Sequence, residues 1–420
     1  MKPMGWRFLV LTDLGAPSPG PVRLPAGGPD TWLPALKLKF ADEASFRPAG
    51  ASSEVLQDPG FQRVESAFRG LKLLMEHAGE GVRVDVLSAS AKDLGARFRE
   101  SVFEPEMKTI QDPPLALILA DFDFSHQQAD LAAISELAEM AKVLQAPIVA
   151  QASPAFFGLK QLNLLPKLND VPQRLTDGAH AGWIKFQKQE AARWAALTLN
   201  RYLQRAPYEG ENVDPAKPET YLWGRGVWLL GASAARAVRS SGHALDLSGL
   251  RAGQFKGLPT RAYPKAANQT VPLSAEVPVP EQMALELSRV GFITVVGFLG
   301  SDSVMLPIAV NVHREKPGRL TVSGTLGYQL LAGRLAQLCA LLLEELPADA
   351  AEAVAFLKRS LVEFLGPLAG PAPDAAVTVA PAEAKGPDGR SVPLAEITVQ
   401  PAARIEGMEF KYVFQLPLRV

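Results

Sequence analysis

The stretch that decides the fold of this chain reads Asp58-Pro59-Gly60-Phe61-Gln62-Arg63-Val64-Glu65-Ser66-Ala67-Phe68-Arg69-Gly70-Leu71-Lys72. Asp58 can accept hydrogen bonds from the free N–H groups of a helix start, and Pro59 suits the first helical position. Apolar residues then recur at steps of three and four, which places them on one helix face. They are Phe61, Val64, Phe68, Leu71, Leu74 and Met75. The stretch therefore predicts an amphipathic core helix that ends near His77 and Gly79.

The strand and helix patterns that follow predict an α/β core. Residues 82–87 alternate like a half-buried strand, and residues 115–120 form an uninterrupted apolar run, as in a strand covered on both faces. Residues 127–144 carry a helical apolar face, and residues 147–151 read as the next strand. Strand, helix and strand at this spacing predict a βαβ unit, and so a mixed sheet with flanking helices.

Composition divides the chain into regions. They are residues 1–57, a strand-rich N-terminal segment; 58–366, the α/β core; 367–393, a Pro/Ala/Gly-rich linker or insertion; and 394–420, the C-terminal strands. Within the first region, residues 33–40 read as a strand with apolar residues on one face. Within the second, residues 179–205 read as helical. The third region is predicted to be mobile, because its composition favours no regular element.

A strict alternation of residue types marks the end of the chain. The side chains of one face are Phe410, Tyr412, Phe414, Leu416, Leu418 and Val420. This pattern predicts a strand, and Pro417 favours an edge position for it because proline has no N–H to donate. An edge strand can add to the sheet of a neighbouring molecule, or it can simply close its own sheet. If it joins subunits, the face from Phe410 to Leu418 is the predicted assembly interface.

Composition also narrows the class of function. The chain has 420 residues, of which 47% are hydrophobic and 21% charged, as in ordinary globular proteins. A net charge of −1 argues against general nucleic-acid binding. The single cysteine, Cys339, excludes an intramolecular disulfide and a cysteine-built zinc site. Neither a signal peptide nor a membrane-spanning stretch is recognisable, so we expect a cytoplasmic protein without membrane insertion.

One segment could carry chemistry. Asp121-Phe122-Asp123-Phe124-Ser125-His126 follows an apolar run, the place where open α/β sheets bind ligands. Two carboxylates and an imidazole can hold a metal ion, so a metal-dependent hydrolase centred on Asp121, Asp123 and His126 is one hypothesis. In the other interpretation Ser125 or Asp123 caps the next helix, and His126 is satisfied in its first turn. No phosphate-binding or dinucleotide-binding motif is present, and we expect no cofactor.

The sequences of these segments resemble those of the large subunit of the type VI secretion contractile sheath, the TssC/VipB family. The opening stretch is similar to that family's Asp-Pro-x-Phe-Gln-x-x-Glu-x-x-Trp-Arg-Gly-Leu-x, with Phe68 in place of Trp. Residues 120–126 resemble the family's Gly-Asp-Tyr-Glu-Phe-Ser-His, with Ala120 and Phe122 in place of Gly and Tyr. Further segments match the family in the same order: residues 146–154, 197–208, 221–224 and 257–260.

The resemblance implies a structural role without catalysis. Proteins of this family form a helical sheath around a stacked inner tube, contract to drive the tube outward, and exchange strands between neighbouring subunits. The family-motif residues carried over are Asp58, Phe61, Gln62, Glu65, Arg69, Asp121, Ser125 and His126. The implied partners are other copies of the chain, an inner tube protein and a baseplate, with or without a small sheath subunit.

The N-terminal region departs from the family pattern. Only 57 residues precede the motif, fewer than the large subunit usually carries, and the shorter region leaves out the helix recognised by the recycling ATPase. Recycling by that ATPase is therefore not expected. Residues 11–14 and 38–48 faintly resemble the small sheath subunit, which suggests a hybrid chain. We predict a contractile sheath subunit; a non-secretory sheath or shell and the metal-dependent hydrolase are the competing hypotheses.

Overall fold

A mixed α/β architecture is seen in the computed structural model, which describes residues 4–36, 52–109, 111–168, 170–215, 217–266, 269–315, 319–385 and 391–418. The strands are β1 (Trp6–Thr12), β2 (Val22–Leu24), β3 (Val82–Ser88), β4 (Leu115–Phe124), β5 (Ile148–Ala152), β6 (Ala195–Leu199), β7 (Arg201–Leu203), β8 (Trp223–Arg225), β9 (Gln254–Phe255), β10 (Arg261–Ala266), β11 (Gln269–Leu273), β12 (Phe292–Thr294), β13 (Val296–Gly297), β14 (Val304–Met305), β15 (Val377–Lys385), β16 (Ser391–Val399) and β17 (Tyr412–Pro417). The α-helices are α1 (Pro29–Trp32), α2 (Ser53–Leu56), α3 (Pro59–Ala78), α4 (Leu94–Phe98), α5 (Glu104–Lys108), α6 (Gln128–Leu144), α7 (Val171–Arg174), α8 (Ala181–Gln187), α9 (Gly226–Ser241), α10 (Gly249–Ala252), α11 (Glu281–Arg289), α12 (Leu326–Leu342) and α13 (Ala350–Leu365).

The central sheet has the strand order β12-β6-β5-β4-β1-β3-β2. Its neighbouring strands are parallel except for β2, which runs antiparallel to β3. Successive side chains of β1 enter two different cores: Phe8 and Val10 pack with α3 and α9, whereas Leu9 and Leu11 pack with α6 and α8. The sheet is therefore covered on both faces. The predicted βαβ unit is confirmed, because β4 and β5 are parallel neighbours joined through α6.

The predicted opening helix is confirmed as α3. An Oδ1 atom of Asp58 accepts a hydrogen bond from the N–H of Phe61 at 2.8 Å, and Gly79, with a positive φ, follows the last turn. The buried face of α3 lies directly against α9. At Gly70 the two helices approach so closely that a Cβ atom there would lie 2.2 Å from the ring of Trp228.

A second, smaller sheet forms the C-terminal part of the described chain. Its strands are antiparallel in the order β15-β16-β17, and they pack on α12 and α13 around a separate apolar core. The predicted terminal strand of this region is present as β17. No helix of the described ranges combines the length and apolarity needed to cross a bilayer.

Two sequence-based predictions of single elements are wrong. Leu33–Leu36 form a 3-10 helix instead of a strand. The small-subunit likeness of residues 38–48 falls on residues 37–51, which lie outside the described part of the chain. The helix predicted over residues 179–205 gives way to β6 and β7, because a short apolar run buried on both faces suits a strand as well as a helix.

The predicted mobile linker contains β15. Ala376 accepts a hydrogen bond from Gln400 at 2.8 Å, so by antiparallel alternation the even-numbered residues of β15 bond to β16. Pro381 therefore lies on the outward side of the strand, where the missing N–H interrupts no ladder. A composition rich in Pro, Ala and Gly did not prevent a strand, because the one proline inside it faces away from the partner.

We expect Gly70→Ala to destabilise the fold by about 1–3 kcal/mol, because the added methyl group overlaps a ring that cannot retreat within a packed core. The measurement is the free energy of unfolding in urea. Gly178→Ala is the matched control, since a Cβ atom at Gly178 meets nothing within 4 Å. Equal stability of the two variants would contradict the close packing of α3 on α9.

Candidate functional site

A buried ionic cluster forms around Glu65, on the face of α3 that was predicted to be apolar. Glu65 is 0% exposed, and its Oε1 lies 2.8 Å from Nε of Arg205 and 2.9 Å from Nε of Arg69. The hydroxyl of Tyr208 donates to the same carboxylate at 3.2 Å, and Arg205 also pairs with Glu211 at 2.6 Å. These five residues, the Glu65 cluster, hold the loop after β7 against α3.

Three of the segments that resemble the sheath family bond directly to one another. The hydroxyl of Ser66 donates to the carbonyl of Trp223 at 3.0 Å, and the amide of Gln204 donates to the carbonyl of Ser66 at 3.0 Å. Segments far apart in the sequence thus meet at one place on the first turns of α3. Burial of polar groups requires such pairing, so the motif residues act together as a structural joint.

A second ionic cluster, the Arg225 cluster, lies at the topological switch point of the central sheet. The strand order reverses there, because β3 lies on one side of β1 and β4 lies on the other. Arg225 pairs with Asp121 at 3.1 Å and with Asp123 at 2.7 Å. The hydroxyl of Thr12 and the indole N–H of Trp228 donate to Asp121 at 3.0 and 3.1 Å. Burial raises the pKa of Asp121, and Arg225 and Thr12 offset that rise only in part.

The arrangement does not assemble the metal centre of the hydrolase hypothesis. Both carboxylates face the guanidinium of Arg225, whereas the ring of His126 stacks on His180, with centroids 4.5 Å apart. Across the described ranges, no three His, Cys, Asp or Glu side chains lie together in a way that could hold a metal ion. The structure and the comparisons below offer nothing in support of Asp121, Asp123 and His126 as one catalytic site.

Ser125 and His126 belong to the turn between β4 and α6. The hydroxyl of Ser125 donates to Asp130 at 2.6 Å and accepts from the N–H of Gln127 at 3.2 Å, which ties the turn to the first residues of the helix. Burial, together with the neighbouring His180, lowers the pKa of His126. The prediction that Ser125 or Asp123 caps the next helix is wrong, because Gln127 stands at the N-cap of α6 without a side-chain cap. Ser125 and His126 nevertheless lie in a turn, and no metal-binding group forms there among the described residues.

The remaining motif residues on α3 lie toward solvent. Phe61 and Gln62 are half-buried, and Gln62 lines a cavity of about 480 Å³ together with Arg63, Arg201 and Arg225. Sequence reasoning missed Arg205 and Arg225 as partners of the motif acids Glu65 and Asp121. A signal for them existed, because an acidic residue on an apolar helix face needs a buried cation nearby.

The C-terminal strand turns its alternating face inward. Phe410, Tyr412, Leu416 and Leu418 are buried against α12 and α13 of the same molecule, and Phe414 is half-buried there. These are the side chains predicted to form an assembly interface. In this structure they anchor β17 to its own subunit, so any contact with a neighbour through this strand would use its backbone and its outward side chains.

The backbone of β17 is open on one side. The backbone N–H of Leu418 donates to the carbonyl of Pro393 at 3.0 Å. The backbone N–H and C=O groups of the even-numbered residues of β17 therefore bond to β16, and those of the odd-numbered residues point away from it. No strand of the described residues pairs with that outward side. The N–H and C=O groups of Val413 and Gln415 lie there, and Val413 is 55% exposed. An apolar groove of about 260 Å³ between β17 and α12 runs beside them.

Comparison with known protein families shows to which family the chain is related. The VipB family model, described as EvpB/VC_A0108, tail sheath N-terminal domain, matches residues 51–312. The chain belongs to this family. The match covers five strands of the central sheet, β3, β4, β5, β6 and β12, whereas β1 and β2 precede it and the β15-β16-β17 sheet lies beyond it. All five residues of the Glu65 cluster, and Asp121, Asp123, Arg225 and Trp228 of the Arg225 cluster, lie within the matched residues, whereas Thr12 lies before them.

One curated relative is the type VI secretion system sheath protein TssC1 of Pseudomonas aeruginosa, which is 23% identical over 289 residues. The match covers 60% of this chain and 58% of the relative, so the chain spans somewhat more than half of that protein's length.

Solved chains from sheath and baseplate structures share the fold over nearly the whole chain. A chain of the anti-feeding prophage baseplate has a TM-score of 0.52 at 13% identity, covering 98% of this chain and 93% of that one. The anti-feeding prophage helical sheath in its contracted state gives 0.50 at 12%, covering 97% and 93%. A sheath tail protein of Desulfitobacterium hafniense gives 0.50 at 9%, covering 100% and 97%.

We expect Glu65→Ala to destabilise the fold by about 3–5 kcal/mol, because it leaves buried guanidiniums without their carboxylate. Thermal or urea unfolding of the purified variant measures the loss. Glu190→Ala removes a carboxylate whose ion pair with Arg193 is exposed, and it should change stability little. A Glu65→Ala protein as stable as the Glu190→Ala protein would contradict the role of the cluster.

We expect His126 to make stability depend on pH. Its folded pKa lies below its ordinary value of 6.5, so its contribution is complete above that pH and declines as the pH falls toward the folded pKa. His126→Phe keeps a ring in the stack but cannot take up a proton. Its stability should fall less on acidification than that of the wild type, as followed by urea midpoints across a pH series. If the urea midpoints of His126→Phe and of the wild type fell equally with pH, His126 would not be the source of the pH dependence.

Proposed function

We propose that this chain is a structural subunit of a contractile sheath of the type VI secretion kind. It polymerises with copies of itself around an inner tube in the cytoplasm and contracts to propel that tube. The observation that carries the proposal is membership of the tail sheath family over residues 51–312. The shared fold with sheath chains from other contractile systems agrees with it. Buried ion pairs where an active site would lie favour structure over catalysis.

The C-terminal sheet supplies the means of polymerisation in this proposal. A strand from a neighbouring subunit adds to the outward side of β17, where the backbone groups of Val413 and Gln415 point. Main-chain hydrogen bonds supply the attraction, and a side chain of the incoming strand enters the groove beside Tyr328 and Leu335. Burial of the other face inside its own subunit fixes which backbone groups face the neighbour.

The proposed partners follow from the same family. They are other copies of the chain, an inner tube protein and a baseplate; the likeness to a chain of a baseplate structure favours the last of these. A small sheath subunit is an additional partner in the standard secretion system. The proposal predicts that the chain by itself carries the edge that joins subunits, whether or not such a subunit takes part.

We expect Gln415→Pro to abolish polymers while leaving the subunit folded. The N–H of residue 415 points away from β16, so proline breaks no internal ladder bond, but its ring blocks an incoming strand. Negative-stain electron microscopy and sedimentation velocity of the purified proteins, with any partner found to be needed, measure assembly. Circular dichroism checks the fold.

Gln415→Ala is the matched control, because it removes the side chain and keeps the N–H, and it should polymerise like the wild type. Deletion of the whole strand is less informative, since it also strips Tyr412 and Leu416 from the core. Polymers formed by Gln415→Pro would refute the edge-pairing model. A wild-type chain that stays monomeric under every condition and with every partner would refute the sheath proposal itself.

A further inference from the structure

A polar cavity of about 480 Å³ opens between the start of α3 and the segment that leads into β8. Its walls include Arg63 from α3, Arg201 from β7 and Arg225 from β8, with Tyr221 and Trp223 between them. We call it the arginine pocket. Three guanidiniums against a single acidic lining residue, Glu219, make its surface rich in hydrogen-bond donors.

The acids that neutralise these arginines lie behind them. Arg201 grips Glu276 with Nε and Nη2 at 2.6 and 2.9 Å, and the side chain of Glu276 is only 3% exposed. The side chain of Arg201 itself keeps 37% of its surface exposed. Arg63 uses Nε for Asp13 at 3.2 Å and is 47% exposed. Nη1 of Arg201 and both Nη atoms of Arg63 are thus further N–H donors at the pocket.

The two Nη groups of Arg63, together with Nη1 of Arg201, suit an acceptor with paired oxygens. Arginine recognises carboxylates and phosphates through parallel N–H···O bonds, and the aromatic rings offer flat walls for the stem of a side chain. The slightly negative net charge of the chain, −1, does not favour a phosphate polymer. A carboxylate of a protein is the better fit.

The chain itself carries an acidic run on another surface. Residues 344–352, between α12 and the first turn of α13, include four acidic residues and neither lysine nor arginine. They are Glu344, Glu345, Asp349 and Glu352, and all four are exposed. Asp349 caps α13 by accepting from the N–H of Glu352, so the three glutamates are the carboxylates that can reach outward.

We propose that the arginine pocket binds the glutamates of residues 344–352 from a second copy of this chain. The inference rests on the proposed function, because it describes a contact between subunits of one polymer. It places a charged contact on the α/β core, separate from the strand pairing at β17. Complementary charges of this kind fix which subunit faces fit together and weaken with salt.

Peptide binding to the full-length protein tests the pocket without requiring polymers. The probes are a peptide of residues 342–353 and the same peptide with its three glutamates replaced by glutamine. Titration calorimetry measures affinity, and tryptophan fluorescence reports on Trp223 at the pocket wall. We expect the acidic peptide to bind at least about tenfold more tightly than the glutamine peptide, since charge-assisted bonds are lost in the latter.

Arg63→Gln should weaken the acidic peptide about two- to fivefold, the effect of one exposed charged contact, without loss of fold. Lys72→Gln, on the same helix but outside the pocket lining, is the control and should bind like the wild type. Arg201 is not used, because its removal strands buried Glu276.

Three results would overturn the inference: no binding of the acidic peptide, equal binding of both peptides, or displacement of the acidic peptide by inorganic phosphate at lower concentration than by free peptide. Microscopy separates this inference from the sheath proposal. Polymers that form normally while the peptide fails to bind would overturn the pocket contact alone. A peptide that binds to a chain that never polymerises would overturn the sheath proposal and leave the pocket in place.

Discussion

The contact between Gly70 and Trp228 is the constraint on which the rest of the core depends. Trp228 is fully buried, its ring lies where any side chain at position 70 would be, and its indole N–H donates to Asp121. One side chain thus sets the distance between α3 and α9 and also fixes the carboxylate at the end of β4. Because protein interiors are close-packed, a shift of α3 would move Trp228 and so disturb the pairing of Asp121 with Arg225.

The buried charges add specificity more than stability. Taking Glu65 and Arg205 out of water is costly, and their attraction repays that cost only because every oxygen and most N–H groups find partners. An apolar joint could slide by one helical turn, whereas a carboxylate held between Arg69 and Arg205 accepts one register. Such a joint suits a subunit that is proposed to keep its core intact while its neighbours move.

Patterns within a short window were predictable, and contacts between distant segments were not. The cap of Asp58, the βαβ unit and the terminal alternation depend on local geometry, and the structure agrees with them. Arg205, the buried partner of Glu65, lies 140 residues away in sequence, and no spacing rule links the two. The sequence also could not predict which subunit buries the apolar face of the terminal strand, because alternation shows only that one face is buried.

The inward turn of that face changes how the strand can serve an assembly. Side chains buried in the subunit's own core hold β17 in place before any partner arrives, so a neighbour meets a preformed edge and loses less entropy on binding. Pro417 on the outward side of β17, and Pro381 on that of β15, limit how far a strand can extend along either edge. Each strand added in the proposed sheath can therefore form only a short ladder, and a strong tube would require that many such weak contacts act together. In that proposal, weak and repeated contacts can rearrange during contraction without unfolding a subunit.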